Sequence, residues 1–269
     1  MKESKRHPEM WKSASGALER RNVWNSNKNL LDLVKPGHRV LDVGCGAGNI
    51  TKGIKELAGK FGVVTGIDTR DYMIEMAQNM NKGVFGLSFF KADINFFSSE
   101  DKYDVVTSAR ALQWAHNPYQ VICIMRDLVK EGGCLSVLDF SLEKNEFIPA
   151  LPEPMEIFYK AFLNWREDAG MDNVLADNLA DLFEKAGLKN IAVSDQSEFI
   201  QKHDAGFVDE AVAWSKIAET HGLQMVMDGY ISEELRKKAV DAYDWWMEEE
   251  GEGIKLCLKA VTGYVEGAE

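Results

Sequence analysis

The sequence is poor in long apolar runs, clustered basic residues and closely spaced cysteines. A membrane-spanning helix needs about 20 consecutive apolar residues, and the runs here are shorter and interrupted by charges, so no membrane association is expected. Residues 1–10 contain no apolar region of the signal-peptide type, which argues against secretion. The chain has 31 Lys and Arg against 43 Asp and Glu, a formal net charge of −12. Because its lysines are also scattered, a nucleic acid is not an expected partner.

The four cysteines, Cys45, Cys123, Cys134 and Cys257, are far apart and form no C-x-x-C pair. Such pairs are typical of zinc and redox centres, so no metal site is expected and the thiols are expected to be free in a cytoplasmic protein. With 269 residues, 45% hydrophobic and 28% charged, the chain has the composition of a folded protein. Its length fits one large domain or a smaller domain with additions.

From residue 39 to residue 140, short β-branched runs alternate with amphipathic stretches of helical periodicity. This alternation predicts an α/β fold with a parallel sheet that helices cover on both faces. Sheets of this kind bind ligands beyond the carboxyl ends of their strands, so the loops after the strands are expected to form the site. The five predicted strands are 39–43, 62–68, 87–93, 103–108 and 134–140.

Three segments outside this alternation are predicted to be helical additions. Residues 1–38 are predicted to form an N-terminal arm. Aromatic residues at helical spacing predict a lid at about 147–176, and a helical insertion is predicted at about 204–250. Between and around these segments, the sequence predicts a helix at 177–186 and strands at 190–200 and 254–265.

The strongest local pattern is VLDVGCGAGN at residues 40–49, a buried strand that opens into a glycine-rich turn. Glycines let a ligand approach the backbone closely and allow positive φ angles. A dinucleotide site would require G-x-G-x-x-G, but position 49 is Asn, and Asp42 would repel a pyrophosphate. The turn therefore favours a ligand with a cationic group over the NAD of a dehydrogenase.

Two further acidic residues end predicted strands. Asp68 ends the second strand, where a carboxylate can accept two hydrogen bonds from a ribose diol. Asp93 ends the third strand and can accept a hydrogen bond from the exocyclic amine of an adenine. With Asp42, they place acidic acceptors at the ends of three strands, although turn formation and helix capping are the ordinary roles of such residues.

Taken together, residues 39–140 resemble the class I S-adenosylmethionine-dependent methyltransferases. The matching motifs are VLDVGCGAGNI, GIDTRDYMIEMA, KADI and YDVVTSARALQWAHNP, in that family's order and approximate spacing. Within the superfamily, the resemblance leans toward the menaquinone-biosynthesis-like small-molecule enzymes. It implies a Rossmann-like, doubly wound, mostly parallel seven-stranded sheet with an antiparallel last strand. Residues 39–269 would then form the methyltransferase domain, including the lid and the insertion.

The resemblance implies S-adenosyl-L-methionine as the cofactor. It places the glycines of the turn near the methionyl part, with Asp42 orienting the amino-acid end. Asp68 would bind the ribose hydroxyls, Asp93 would meet the adenine amino group, and Met73 would pack on the adenine or, equally, in the helix core. The implied cofactor-binding residues are Asp42, Gly44, Cys45, Gly46, Gly48, Asp68, Thr69, Met73, Ala92, Asp93, Ile94 and Ala109.

No catalytic triad is needed for this reaction, because a sulfonium methyl is already activated and orientation alone can supply about 7–11 kcal/mol of a barrier. The sequence contains no Gly-x-Ser-x-Gly, Walker A or His-Glu-x-x-His pattern. His116 and Asp139 are candidates for proton transfer, with a solvent-facing His and a plain strand-end acid as the alternatives. Candidate acceptor-binding residues, most of them aromatic and also suited to core packing, are Trp24, Arg110, Trp114, Tyr159 and Trp165.

The sequence therefore predicts a methyltransferase that passes the methyl group by in-line SN2 displacement to an N, O, S or C nucleophile of a small molecule. A nucleic-acid or protein methyltransferase is an alternative, against which the net charge and the missing Asn-Pro-Pro-Tyr motif argue. A non-catalytic S-adenosylmethionine-binding protein is another. The sequence identifies neither the acceptor nor the oligomeric state.

Overall fold

The computed structural model describes residues 20–267, so half of the predicted N-terminal arm lies outside the described residues. The described chain divides into two compact units. We call them the sheet unit, residues 20–140, 175–196 and 258–267, and the helical unit, residues 141–174 and 197–257.

Strands and helices alternate along much of the described chain. The strands are β1 Arg39–Val43, β2 Val63–Asp68, β3 Leu87–Lys91, β4 Tyr103–Ala109, β5 Val129–Phe140, β6 Glu146–Ile148, β7 Lys189–Asp195, β8 Glu198–Gln201, β9 Gly253–Leu256 and β10 Leu258–Tyr264. The α-helices are α1 Val23–Ser26, α2 Asn49–Ala58, α3 Asp71–Met80, α4 Pro118–Leu128, α5 Glu153–Asp168, α6 Leu175–Lys185, α7 Phe207–Met227 and α8 Glu233–Trp245. None of these helices combines the length and the apolar character that crossing a membrane requires.

The sheet unit is built on a seven-stranded sheet in the order β3-β2-β1-β4-β5-β10-β7. Neighbouring strands from β3 to β5 are parallel, whereas β10 is antiparallel to both β5 and β7. The predicted Rossmann-like sheet with an antiparallel last strand is thus confirmed. The strand order reverses between β1 and β4, and such a switch point is where open α/β sheets bind ligands.

Strand β1 shows how the sequence builds this sheet, because its side chains alternate between two buried faces. Leu41 and Val43 belong to one hydrophobic cluster, which includes residues of α4 and α6. Val40 belongs to another cluster, together with Val23 of α1 and Ile54 of α2. Burial on both faces explains why β1 is mostly apolar.

Two strand predictions are wrong in their extent. The sequence predicts single strands at 190–200 and 254–265, but the structure divides each into two. β7 and β10 belong to the seven-stranded sheet, whereas β8 and β9 form an antiparallel three-stranded sheet with β6. At the second break, the backbone N–H of Cys257 donates to Asn145 Oδ1 at 2.9 Å. The pattern hides this break, because the alternating apolar residues continue across it as Ile254, Leu256, Leu258 and Ala260.

The helical unit combines α5, α7 and α8 with the three-stranded sheet, and its core is aromatic. Phe158, Phe162 and Trp165 of α5 are buried, as are Tyr243 of α8 and Trp246 just after it. The rings of Tyr243 and Trp246 stack with their centroids 5.4 Å apart. Aromatic residues of the predicted lid and of the predicted insertion therefore pack inside the same unit.

Candidate active site

The glycine-rich turn after β1 is a bend in which Gly44, Gly46 and Gly48 all have positive φ angles, of 76°, 53° and 83°. A Cβ added to Gly48 would lie 2.7 Å from the ring of Phe89, so packing as well as backbone conformation requires glycine there. A Cβ added to Gly46 would meet nothing within 4 Å. The bend therefore keeps open space beside the backbone of Gly46, as a ligand-binding turn requires.

The end of β2 is tied to this bend. The N–H groups of Gly44 and Cys45 donate to the carbonyl of Ile67 at 2.8 and 3.0 Å, and the N–H of Gly46 donates to Asp68 Oδ2 at 3.0 Å. Cys45 is buried, and burial holds the pKa of its thiol well above the usual range, an effect that the charges of Asp42 and Asp68 increase. The Cys45 side chain is therefore a packing group in the floor of the bend.

Asp68 is the centre of the hydrogen bonding at this end of the sheet. Its Oδ1 accepts from the backbone N and from Nε of Arg70, each at 3.0 Å, and its Oδ2 accepts from Arg70 Nη2 and from Gly46 N at the same distance. Asp68 is only 5% exposed. Arg70 was not among the predicted site residues; its position two residues after a strand-end acid is the only sequence signal for it.

Asp42 is buried below the bend, where its Oδ2 accepts from the hydroxyl of Thr51 at 2.6 Å. Burial raises the pKa of Asp42 to about 6; the Thr51 hydrogen bond opposes this rise, and the charge of Asp68 adds to it. Asp42 thus joins the end of β1 to the first turn of α2, and it changes its charge close to neutral pH.

The end of β3 lies beside the end of β2, since Ala92 N donates to the carbonyl of Asp68 at 3.0 Å. Asp93 Oδ1 accepts from both the backbone N and Nδ2 of Asn95, at 2.9 Å each, and so caps a 3-10 turn. The structure therefore brings the acids of three strand ends into one region, but engages one oxygen of Asp93 in a turn. The remaining predicted cofactor residues near this edge are Thr69, which is exposed, and Met73 and Ile94, which are buried.

The turn after β4 begins at Ala109 and is strained at Arg110, a buried non-glycine residue with a φ of 56°. The N–H of Arg110 donates to the carbonyl of Leu138 at 2.7 Å. Its Nη1 donates to the carbonyl of Ser26 at 3.0 Å and to Asn27 Oδ1 at 3.4 Å. Arg110 therefore connects the turn after β4 to the segment that precedes β1.

Asp139, near the end of β5, is fully buried and holds the same turn. Its Oδ2 accepts from the backbone N of Gln113 at 3.1 Å, and its Oδ1 accepts from the N of Phe140 at 2.9 Å. Trp114 ends the 3-10 turn that follows and is partly buried, whereas His116 is exposed. The structure thus brings Arg110, Trp114 and Asp139 to neighbouring strand ends and leaves His116 in contact with solvent.

Three predicted acceptor-binding residues belong to α-helices, not to these turns. Trp24, on α1, is 47% exposed, and a Cβ on Gly53 of α2 would lie 3.4 Å from its ring. Tyr159 and Trp165 belong to the helical unit, where the Tyr159 hydroxyl donates to the carbonyl of Leu142 and Trp165 Nε1 donates to Asp228 Oδ2 at 2.8 Å. Their polar atoms are therefore used within that unit.

A family model described as a methyltransferase domain matches residues 34–196, more than half of the chain. The chain belongs to the methyltransferase domain family. This membership confirms the resemblance to class I methyltransferases that the motifs of the first five strands indicate. The match covers the bend after β1 and all of the strand ends described above.

Two curated relatives show how far the similarity extends. The ubiquinone/menaquinone biosynthesis C-methyltransferase UbiE of Ectopseudomonas mendocina (strain ymp) is 33% identical over 138 residues, which are 50% of this chain and 53% of that protein. The demethylmenaquinone methyltransferase of Bacillus subtilis (strain 168) is 27% identical over 191 residues, 65% of this chain and 81% of that one. The chain thus spans about half the length of the first of these relatives.

Among solved structures, the chain is similar to phosphoethanolamine N-methyltransferase 2 of Haemonchus contortus in complex with phosphomonomethylethanolamine and S-adenosylhomocysteine. The TM-score is 0.56 at 16% identity, and the match covers 91% of this chain and 53% of the other. At that identity the similarity supports the fold and leaves the acceptor open.

Proposed function

We propose that this protein is an S-adenosylmethionine-dependent methyltransferase that acts on a small-molecule acceptor. The observation that carries the proposal is the bend after β1, where open space lies beside Gly46 while the N–H of the same residue is fixed on Asp68 at 3.0 Å. A ligand that enters this space meets the glycine backbone and, beside it, the Asp68 carboxylate, which is placed to bind a ribose diol. Membership in the methyltransferase domain family supports the same function.

The residues at these strand ends fit the cofactor chemically. The backbone of the bend would run along the methionyl part, Asp68 would accept from the ribose diol, and Asp93 would accept from the adenine amino group. Buried Met73 would contribute an apolar contact to the adenine. When bound, the cofactor supplies a methyl group on a positively charged sulfur, which an acceptor nucleophile displaces in line.

The chain's own part in the reaction is mainly positioning. Asp42 and Asp68 supply negative charge beside the bend, which suits a cationic ligand. Asp139 fixes the turn after β4 through the N–H of Gln113. We assign any proton removal that the acceptor requires to His116, which is exposed on the loop after β4.

The names of the curated relatives suggest the first acceptors to test. One is named a ubiquinone/menaquinone biosynthesis C-methyltransferase and the other a demethylmenaquinone methyltransferase. We therefore propose a quinone-type ring as the first candidate acceptor. The net charge of −12 does not favour a nucleic-acid acceptor. The helical insertion at about 204–250 lies outside the family match, and acceptor choice is expected to depend on such additions.

The direct test uses S-adenosylmethionine with a labelled methyl group. The protein is incubated in separate reactions with a demethylated quinone, a metabolite extract, total RNA and a protein extract, and labelled products are identified by mass spectrometry. Label in a small molecule supports the proposal, whereas label in RNA or protein would support the alternative acceptors. Cofactor binding without transfer to any of these would favour a non-catalytic binding protein, and absence of binding would contradict the proposal.

A further inference from the structure

The carboxylate of Asp68 has no acceptor capacity left for a ribose. A carboxylate offers about four lone-pair sites to hydrogen-bond donors. Asp68 accepts four hydrogen bonds within the protein, two from backbone N–H groups and two from the guanidinium of Arg70. A vicinal diol requires two acceptor sites, so two of these four bonds have to break before it can bind.

The two hydrogen bonds from backbone N–H groups are harder to break than the two from the Arg70 guanidinium. The N–H of Gly46 belongs to the bend that β1 and α2 hold, and the N–H of Arg70 precedes the first residue of α3. Displacing either group would require the backbone itself to move. The guanidinium of Arg70 is held through a long side chain that is 20% exposed, so side-chain rotation alone can remove it.

The pairing of Arg70 with Asp68 is also incomplete. Nε and Nη2 bind the two carboxylate oxygens side by side at 3.0 Å. Within residues 20–267, the remaining nitrogen, Nη1, is buried and has no hydrogen-bond partner. A buried donor without a partner costs free energy, and this cost is relieved when the guanidinium moves to solvent.

We propose that Arg70 is a competing internal ligand of the ribose carboxylate, which an adenosyl compound must displace from Asp68. The inference rests on the proposed function, because it assigns the diol of the cofactor to Asp68. Its consequence is a lowered affinity for every ligand that carries the ribose diol. The methyl donor and its demethylated product carry the same diol, so Arg70 lowers the affinity for both. The lower affinity for the product favours its release.

The test compares the wild-type protein with Arg70→Met, which keeps side-chain length and removes the charge and the donors. We expect Arg70→Met to bind S-adenosylhomocysteine about tenfold more tightly in isothermal titration, which corresponds to about 1.4 kcal/mol. Arg70→Lys, which retains the charge but not the two-pronged geometry, is expected to lie between the two proteins. Arg126→Met is the matched control, because Arg126 binds Asp127 through the same two nitrogens on α4.

A second pair of ligands separates competition at the diol from a general effect on folding. Adenosine is expected to show the same gain in Arg70→Met, whereas 2′,3′-dideoxyadenosine is expected to bind the two proteins equally. Equal or weaker binding of S-adenosylhomocysteine by Arg70→Met, or an equal gain for the dideoxy compound, would overturn the inference and leave the proposed function intact. If wild-type protein and variants all fail to bind S-adenosylhomocysteine, both the inference and the proposed function fall.

Discussion

The sheet unit and the helical unit differ in what their buried side chains do. At the strand ends of the sheet unit, the backbone N–H of Gly46 is fixed by a buried carboxylate, and the charge on that carboxylate is met by Arg70. In the helical unit, stacked rings such as those of Tyr243 and Trp246 fill the core. The first arrangement is suited to exchanging partners with a ligand, and the second to filling volume. Substitutions in the two units are therefore expected to affect different properties.

The largest effect on stability is expected in the helical unit. Trp246 is fully buried, and Trp246→Ala is expected to lower the free energy of unfolding by about 3–5 kcal/mol, because the lost contacts leave a cavity. Urea denaturation measures the change. The neighbouring Trp245 is 52% exposed, so Trp245→Ala is the control, with an expected change within about 0.5 kcal/mol. Equal losses in the two variants would show that burial does not explain the role of Trp246.

A pH-dependent effect is expected in the sheet unit from Asp42, whose pKa is raised by burial from 3.8 to about 6. The folded protein then binds more protons than the unfolded chain between these pH values, so stability falls as pH rises through this window. Asp42→Asn removes this titration. Relative to wild type, the variant is expected to gain about 3 kcal/mol between pH 3.8 and pH 7 in urea denaturation, an upper value for a shift of this size. A constant difference across the window would contradict the assignment.

The bend offers a comparison between packing and backbone strain. Gly48 and Gly37 have φ angles of 83° and 88°, but an added Cβ would strike Phe89 only at Gly48. Gly48→Ala is therefore expected to lose about 1–3 kcal/mol more stability than Gly37→Ala, the cost of overpacking. Thermal and urea unfolding measure both variants. If the two lose the same amount, the Phe89 contact is irrelevant and the positive φ angle accounts for the whole effect.

The smallest expected change in free energy concerns binding at Asp68. Asp68→Ala removes the proposed acceptor for the ribose diol and is expected to weaken the binding of S-adenosylhomocysteine about tenfold in isothermal titration. We expect a modest loss because, under the proposed competition, the wild-type protein gives up the Arg70–Asp68 pair when the ligand binds. Asp127→Ala, which removes the exposed partner of Arg126, is the control and is expected to leave affinity unchanged. Unchanged affinity in Asp68→Ala would remove Asp68 from the ribose role.

The candidate-site residues that could be predicted from the sequence are those identified by residue type together with position at the end of a predicted strand. Asp42, Asp68 and Asp93 follow the apolar runs of strands, and parallel strands bring their carboxyl ends to one edge of the sheet. The glycines of the bend are separated by single residues, so their joint conformation is also a local property. These features needed no knowledge of distant contacts.

Other features depend on side chains that meet across the fold. The pairing of Arg70 with Asp68 follows from a side chain that turns back along the chain, and nothing in the motif distinguishes it from an exposed arginine. The side-chain hydrogen bonds of Arg110 to Ser26 and Asn27 join residues more than 80 positions apart. Aromatic spacing in α5 predicted a helix, but the same spacing suits a lid, an acceptor pocket and a core.

What the sequence alone determined is the succession of strands and helices, the glycine bend and the acids beside it. These follow from the alternation of apolar residues and from local backbone conformation, both of which act over a few residues. The tertiary structure decided that the predicted strands at 190–200 and 254–265 each divide between two sheets, and that Arg70 occupies the carboxylate of Asp68. Strand pairing and ion pairing depend on which groups the tertiary fold brings into contact. A local pattern along the chain does not specify these contacts.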